Sequence, residues 1–294
     1  MMKLLITGSL GQVGRCLVEQ LNGMTDVDFL ALDREELDIT DEAAVSAVVT
    51  SFSPDVIINA AAHTAVDKAE EEIALSYAIN LDGPANLANA ADKVGAAMLH
   101  ISTDYVFAGN KDGEYVESDE TGPQGVYGES KLAGEIAVAQ ACERHIILRT
   151  AWVFSELGGN FVKSMLRLAQ SRESLGIVAD QFGGPTYAGD IASALLHIAV
   201  AITKENHTGF GIYHYSGMPH VSWYDFANTI FAEAKQQGVL TTAMTVNPIA
   251  TADYPTPAKR PANSKLNNDK ILTQFGIHPS DWQLALKNLK DYAS

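Results

Sequence analysis

Apolar residues fall in short unbroken blocks along the first half of the chain, with amphipathic stretches between them. KLLIT (3–7), VDFLALD (27–33), PDVIINAAA (54–62), AMLHIST (97–103) and HIILRTAWVF (145–154) have strand length. They are continuous rather than alternating, the pattern of strands covered on both faces. The intervening stretches predict helices over about 11–23, from about Asp41 with Thr40 as N-cap, and over about 71–94 with a break at DGP (82–84). A polar loop over about 108–125 precedes a further helix that opens with VYGESK (126–131). Repeated strand–helix units with such strands predict an α/β fold, a doubly wound parallel sheet of Rossmann-like type.

Beyond about residue 155 the pattern loosens. Helices are expected over about 160–172 and after Asp190, with a short strand near 175–178. SWYD (222–225) reads as a capping box opening a helix to about Gln237. The stretch 247–264 has four prolines and no periodicity, which predicts a surface loop, and a last helix is expected over about 281–292. The division expected is a dinucleotide-binding domain over 1–155, joined by some later segments. A smaller, partly interleaved substrate-binding lobe would occupy mainly 156–294.

Composition narrows the classes. The chain has 294 residues, is 47% hydrophobic and 19% charged, and carries a formal net charge of −16. So acidic a chain repels phosphate backbones, which argues against a nucleic-acid partner. No apolar run approaches the length of a membrane span, and MMKLLITG is too short for a secretory h-region, so a cytoplasmic protein is expected. Two cysteines, Cys16 and Cys142, both in helical stretches, imply reduced thiols.

Candidate chemistry begins directly after the first strand. TGSLGQVG (7–14) places Gly8, Gly11 and Gly14 between that strand and the first helix. Gly8 suits the tight turn, Gly11 lets the backbone approach a pyrophosphate, and Gly14 allows close helix–strand packing. The spacing is GxxGxxG rather than GxGxxG. Asp33 ends the second strand, where a carboxylate can accept from adenosine ribose hydroxyls, and Arg34 could tolerate a 2′-phosphate. NADPH and NADH both fit.

STDY (102–105) ends the fourth strand, at the carboxyl edge where open α/β sheets bind ligands. Tyr127 and Lys131 lie one turn apart on the next helix. Together these groups suit carbonyl reduction. As hydride arrives, the carbonyl oxygen gains charge and needs a proton. Tyr127 would donate it, Lys131 would lower the tyrosine pKa and hold nicotinamide ribose, and Thr103 would orient the oxygen. Ser130 acquires no role from this reasoning.

The chain resembles the extended short-chain dehydrogenase/reductase family in GQVG (11–14), LDIT (37–40), NAAAHTAVDKAE (59–70), STDYVF (102–107), VYGESKLAGE (126–135), RTAWVF (149–154), DQFGGPT (180–186) and YPTPAKRPANS (254–264). Within it the likeness is to reductases that act with NAD(P)H on the 4-keto group of a dTDP-linked 6-deoxyhexulose. The resemblance implies Gln12 and Val13 beside Gly11 at the pyrophosphate, and Asp38 and Ile39 at the adenine. It implies Ala60, Ala61, Ala62, His63 and Thr64 along the nicotinamide side. Thr103, Asp104, Tyr105 and Trp152 would meet the sugar, and Arg260 the nucleotide end. Arg260 has independent support: an acidic chain needs a local cation for a diphosphate, and Lys259–Arg260 sits in a proline-rigid loop. Trp152 reads equally as core packing, Asp67 and Glu70 as solvated, and His63 is not assigned proton transfer. Relatives that bridge a metal between subunits carry carboxylates where this chain has Cys16, Gly189 and Tyr292. The resemblance therefore allows a homodimer, but not one bridged through those carboxylates.

Two rival readings stand beside the reductase. A nucleotide-sugar epimerase or dehydratase uses the same tyrosine and lysine, though Asp104 has no following Glu, which disfavours dehydration. A regulatory dinucleotide-binding subunit is the other, and intact Thr103, Tyr127 and Lys131 argue against it.

Overall fold

The five apolar blocks form adjacent parallel strands. The computed structural model describes residues 1–205, 207–241 and 243–292. Its central sheet holds β1 (Met2–Thr7), β2 (Val27–Leu32), β3 (Val56–Asn59), β4 (Ala97–Thr103) and β5 (His145–Thr150). A sixth strand, Gly211–His214, joins beside β5. Across the sheet the order is β2, β1, β3, β4, β5 and then the sixth strand, every pair parallel. The direction of winding reverses between β1 and β3, which opens a crevice at their carboxyl ends.

Both faces are covered, as continuous apolar strands require. On one face Leu4, Ile6, Ile58, Leu99 and Leu148 pack under α1 (Gln12–Leu21) and the helix Ala188–Lys204. On the other, Leu5, Ile57, Met98 and Ile147 pack against α2 (Glu42–Phe52) and the helices Gly83–Val94 and Val126–Ala141. A separate cluster around Phe154, Phe226, Ile230, Trp282 and Leu286 forms the core of the smaller lobe. Among the described residues no helix is long and apolar enough to cross a membrane. Cys16 and Cys142 are free and buried.

Several boundaries differ from the pattern-based reading, each for a physical reason. The block 54–62 is strand only over Val56–Asn59, because Ala60–Ala62 turn out of the sheet to line a cleft. The block 145–154 breaks after Thr150. Trp152 adopts φ +50, and Val153–Phe154 pairs instead with Thr186–Tyr187. Asp41, not Thr40, caps α2, accepting from the Ala44 amide. The expected break at 82–84 is a π-helical segment, Ala78–Asp82, running straight into the next helix. Within the proline-rich stretch, Thr245–Ile249 forms a strand paired with Ser174–Val178. Pro248 is tolerated because the sheet has only two strands, leaving its outer edge without a partner to satisfy. The Ser222–Asp225 capping box is present, with the helix Trp223–Gln236 behind it.

Candidate active site

The glycine turn fits its predicted task. Gly8 has φ +76, and a Cβ there would lie 2.6 Å from the Ala61 nitrogen. A Cβ on Gly14 would lie 2.1 Å from the Gly8 carbonyl oxygen. Both positions therefore require glycine, and the turn stays flat against the continuation of β3. Gly11 caps α1 without any side-chain hydrogen bond, which leaves the helix N-terminus open toward an anion. Beside it lies a cavity of about 560 Å³ lined by Gly8, Gly11, Asp33, Arg34, Asp38, Ile39, Ala60–Ala62 and His63. The glycine turn, the open helix N-terminus and the Asp33 carboxylate along it suit a dinucleotide.

The predicted cofactor residues divide by what their side chains do. Arg34 is exposed at the rim. The Asp33 carboxylate accepts from the Glu35 and Glu36 amides, which fixes it at the end of β2. The hydrogen bonds of Thr40 hold the Asp38 carboxyl below the usual range, and Ile39 is buried as the floor. Val13 is buried within α1. The Gln12 side chain is spent elsewhere, accepting from Ser155 Oγ and Asn160 Nδ2 at 3.0 Å each, so only its backbone faces the turn's task. His63 is fixed at both ring nitrogens, Nδ1 to Ser76 at 2.9 Å and Nε2 to Glu72 at 3.1 Å. That is a positioning arrangement and not one for proton transfer. Thr64 is exposed beyond it.

Thr103 ends β4 and Tyr127 opens the next helix, so the two meet at the carboxyl edge. Thr103 lies close enough to the phenol to favour its charged form. The Thr103 hydroxyl also donates to Asp104 Oδ1 at 3.0 Å and accepts from the Tyr105 amide. Gly128 permits this approach, since a Cβ there would lie 2.3 Å from the Tyr105 carbonyl oxygen. Tyr105 packs edge-on against Tyr127, with ring centroids 5.3 Å apart. Burial pushes the Tyr127 phenol well above its ordinary value, with nearby Thr103 opposing. Lys131 does not act on it in this state. Its amine is buried and donates to the Ile101 carbonyl at 2.7 Å. Burial pushes Lys131 down to about 8, with Glu135 opposing. Burial likewise pushes Asp104 up to about 6, and its Oδ2 has no hydrogen-bond partner.

A second cavity, of about 510 Å³, opens on the lobe side and is lined by Tyr105, Trp152, Phe161, Trp223, Arg260 and others. Trp152 stacks on Trp223, centroids 3.5 Å apart and planes within 10°, so it serves both as wall and as packing. Its left-handed backbone is the kind of local strain that clusters at functional sites. Arg260 donates to Asp67 at 2.6 Å and to the Tyr105 hydroxyl at 3.1 Å, and it also lines a third cavity of about 590 Å³. The first two cavities flank the strand ends that carry Thr103 and its neighbours.

Pattern reading passes over several residues that hold this geometry. Asp67 anchors Arg260 and also accepts from the Ala258 amide, so it is not merely solvated. Glu70 accepts from the Val126 amide and caps the helix of Tyr127. Asn80, buried in the π-helical segment, brackets the His63 backbone with Oδ1 and Nδ2 and also donates to Ser130. Ser130, which earned no role from its sequence, thus ties that helix through Asn80 to the His63 backbone. A polar residue inside an apolar helix face is the only signal that could have found it. Among the described residues no cluster of three or more His, Cys, Asp or Glu could hold a metal.

A family model described as the RmlD substrate binding domain matches residues 2–293. The dTDP-4-dehydrorhamnose reductase of Aggregatibacter actinomycetemcomitans is 55% identical over 293 residues, covering 100% of each chain. The crystal structure of a dTDP-4-dehydrorhamnose reductase from Clostridium acetobutylicum superposes with a TM-score of 0.90 at 42% identity, over 99% of each chain. That of the Bacillus anthracis reductase, in complex with NADP, superposes at 0.89 with 37% identity over 98% of each chain.

Proposed function

The chain belongs to the dTDP-4-dehydrorhamnose reductase family, and from that premise we propose how its residues divide the reaction. The activity is NAD(P)H-dependent reduction of the 4-keto group of dTDP-4-dehydro-6-deoxy-L-mannose to dTDP-L-rhamnose. The observation that supports the assignment is the meeting of Thr103, at the end of β4, with Tyr127, in the first turn of the next helix, beside Tyr105, which walls the aromatic cavity that Arg260 also lines.

When bound, the reduced nicotinamide supplies the hydride to C4 of the sugar. Tyr127 hands its phenolic proton to the C4 oxygen. Its raised pKa supports this role, because the proton stays on the phenol until an alkoxide, a stronger base, develops beside it. Thr103 holds the phenol in place and, through Asp104, fixes the pose of the sugar. Lys131 orients the nicotinamide ribose. The Gly8–Gly14 turn receives the pyrophosphate on backbone N–H groups, Asp33 takes the adenosine ribose, and Arg34 accepts a 2′-phosphate when NADPH is used. Ala60, Ala61, Ala62, His63 and Thr64 wall the nicotinamide side through backbone atoms.

On the substrate side Arg260 is pre-aimed by Asp67 and Tyr105 and pairs with the diphosphate. Trp152 walls the sugar. Residues 1–155 with the later sheet segments form the dinucleotide half, and 156–294 mainly the substrate half. We assign the reaction to the cytoplasm. Any homodimer forms without metal-bridged carboxylates, since Cys16, Gly189 and Tyr292 supply none. The test is loss of NADPH absorbance on adding the dTDP-4-keto sugar, with dTDP-L-rhamnose identified as product. Binding of both ligands without turnover would overturn the reading in favour of a regulatory subunit. Release of an epimerised keto sugar would overturn it in favour of an epimerase.

A further inference from the structure

Three polar side chains form a row across the apolar sheet, and the row ends on Lys131. Thr7, Asn59 and His100 are register partners on β1, β3 and β4. All three are buried. The Thr7 hydroxyl donates to Asn59 Oδ1 at 2.8 Å, and the Ala61 amide donates to the same oxygen at 3.0 Å. Asn59 Nδ2 lies 3.0 Å from His100 Nδ1, and His100 Nε2 lies 3.4 Å from Lys131 Nζ.

The proton positions along this row follow by bookkeeping. A backbone N–H can only donate, so the atom of Asn59 that meets the Ala61 amide must be its oxygen. The Asn59 nitrogen therefore faces His100 and donates to Nδ1. Nδ1 must then be the acceptor. Burial holds the ring neutral, its pKa well below the ordinary value, so the single ring proton sits on Nε2. That N–H points at Lys131 Nζ. An ammonium there would meet donor with donor. A neutral amine offers a lone pair to His100 and still donates an N–H to the Ile101 carbonyl.

We propose that His100 is a positioning residue for Lys131: Asn59 fixes its proton on Nε2, and that N–H bonds the lone pair of the Lys131 amine whenever that amine is neutral. The link reaches from the residue before the glycine turn to the lysine on the far side of the nicotinamide site. Its consequence is that His100 sets the pH at which Lys131 takes up a proton. The other ionisable groups around the lysine include Tyr127, one turn back along its helix, Glu135, one turn on, and Arg149 from β5. Glu135 favours the ammonium. Arg149 bonds Glu135 through two N–H groups at 2.9 and 2.7 Å and so weakens that pull. Burial brings Lys131 down to about 8, so its neutral form becomes well populated just above neutral pH. The importance of the lysine rests on the reading in the preceding section; the proton positions do not.

The test is NMR on the full-length free protein. With ¹⁵N-labelled histidine, His100 is expected as the neutral Nε2–H tautomer at neutral pH. With ¹³C-labelled lysine, Lys131 is read directly by titration. In H100N the Nε2–H is lost, and the Lys131 midpoint is expected to rise by about one pH unit, the size of one hydrogen bond in free-energy terms. H100Q keeps an N–H near that position and should restore the midpoint. If H100N does not fold, N59D serves: its second oxygen takes a proton from Nδ1–H, reverses the tautomer and should also raise the midpoint. A Nδ1–H tautomer or an imidazolium in the wild type overturns the proposal. So does an unchanged Lys131 midpoint in H100N or N59D, even with lowered stability. Both spectra are taken without substrate, so a failure of turnover with the dTDP-sugar would sink the reductase reading and leave this inference standing.

Discussion

Asp104→Asn should stabilise the protein at neutral pH while impairing its reaction. The Asp104 carboxyl is 4% exposed, and burial lifts it from an ordinary value of 3.8 to about 6. A raised carboxylate pKa means that the fold disfavours the charged form. Below about pH 4 the group is protonated in both folded and unfolded states, and it carries no penalty. As pH rises from there through about 6, the unfolded chain ionises freely and the folded one resists. Above that range the full penalty applies, about two pKa steps or roughly 3 kcal/mol. Asparagine carries no charge at any pH. Its Oδ1 keeps the acceptor for Thr103, and its Nδ2 replaces the unpartnered Oδ2. Urea unfolding of wild type and D104N at pH 4, 6 and 8 reads the difference. The expected result is near equality at pH 4 and a gain for D104N of about 2–3 kcal/mol at pH 8, once some loss of fit is allowed. A difference that does not vary with pH, or a variant less stable at pH 8, would refute the buried-charge argument. The same variant should lose kcat/KM for the dTDP-sugar, because the gain in stability comes from removing a group kept for the substrate.

Other substitutions test the remaining parts of the site. Tyr127→Phe should lower kcat by roughly 10²- to 10⁴-fold, the usual worth of a positioned acid, with NADPH affinity within a few-fold of wild type; near-normal turnover would remove the proton-donor role. Arg260→Ala should raise KM for the dTDP-sugar by about tenfold, the size of one charge-assisted hydrogen bond, and change KM for NADPH far less. An equal effect on both would show that the guanidinium serves the fold through Asp67 instead. Glu70→Ala should cost about 1 kcal/mol of stability, as loss of a helix cap does, with kcat nearly intact; an unchanged Tm would show that Val126 does not depend on this carboxylate.

What is legible in the sequence follows from where the chain puts its chemistry. Gly8, Asp33, Thr103 and Tyr127 each stand just after an apolar block or at a helix start, so strand ends announce them. The row Thr7–Asn59–His100 is harder to read because each member closes or interrupts an apolar run in a way that also suits plain strand chemistry. Only the shared register across β1, β3 and β4 turns three unremarked residues into one device. The smaller lobe shows single elements in its sequence, such as the Ser222–Asp225 capping box, but not how they pack. Its core draws Trp152, Phe161, Trp223, Phe226 and Trp282 from segments far apart in the chain, and aromatic contacts rather than periodicity hold it. Local pattern therefore reports the half of the site built on strand ends, where the candidate cofactor residues sit. In the other half it picks out Arg260 as a cation in a proline-rich loop, but not the long-range packing in which Asp67 holds Arg260 and the stacked tryptophans wall a cavity. Variation among related enzymes in what sugar they accept should accordingly concentrate in that second half, since packed aromatic walls can change shape without disturbing the sheet that carries the proton donor.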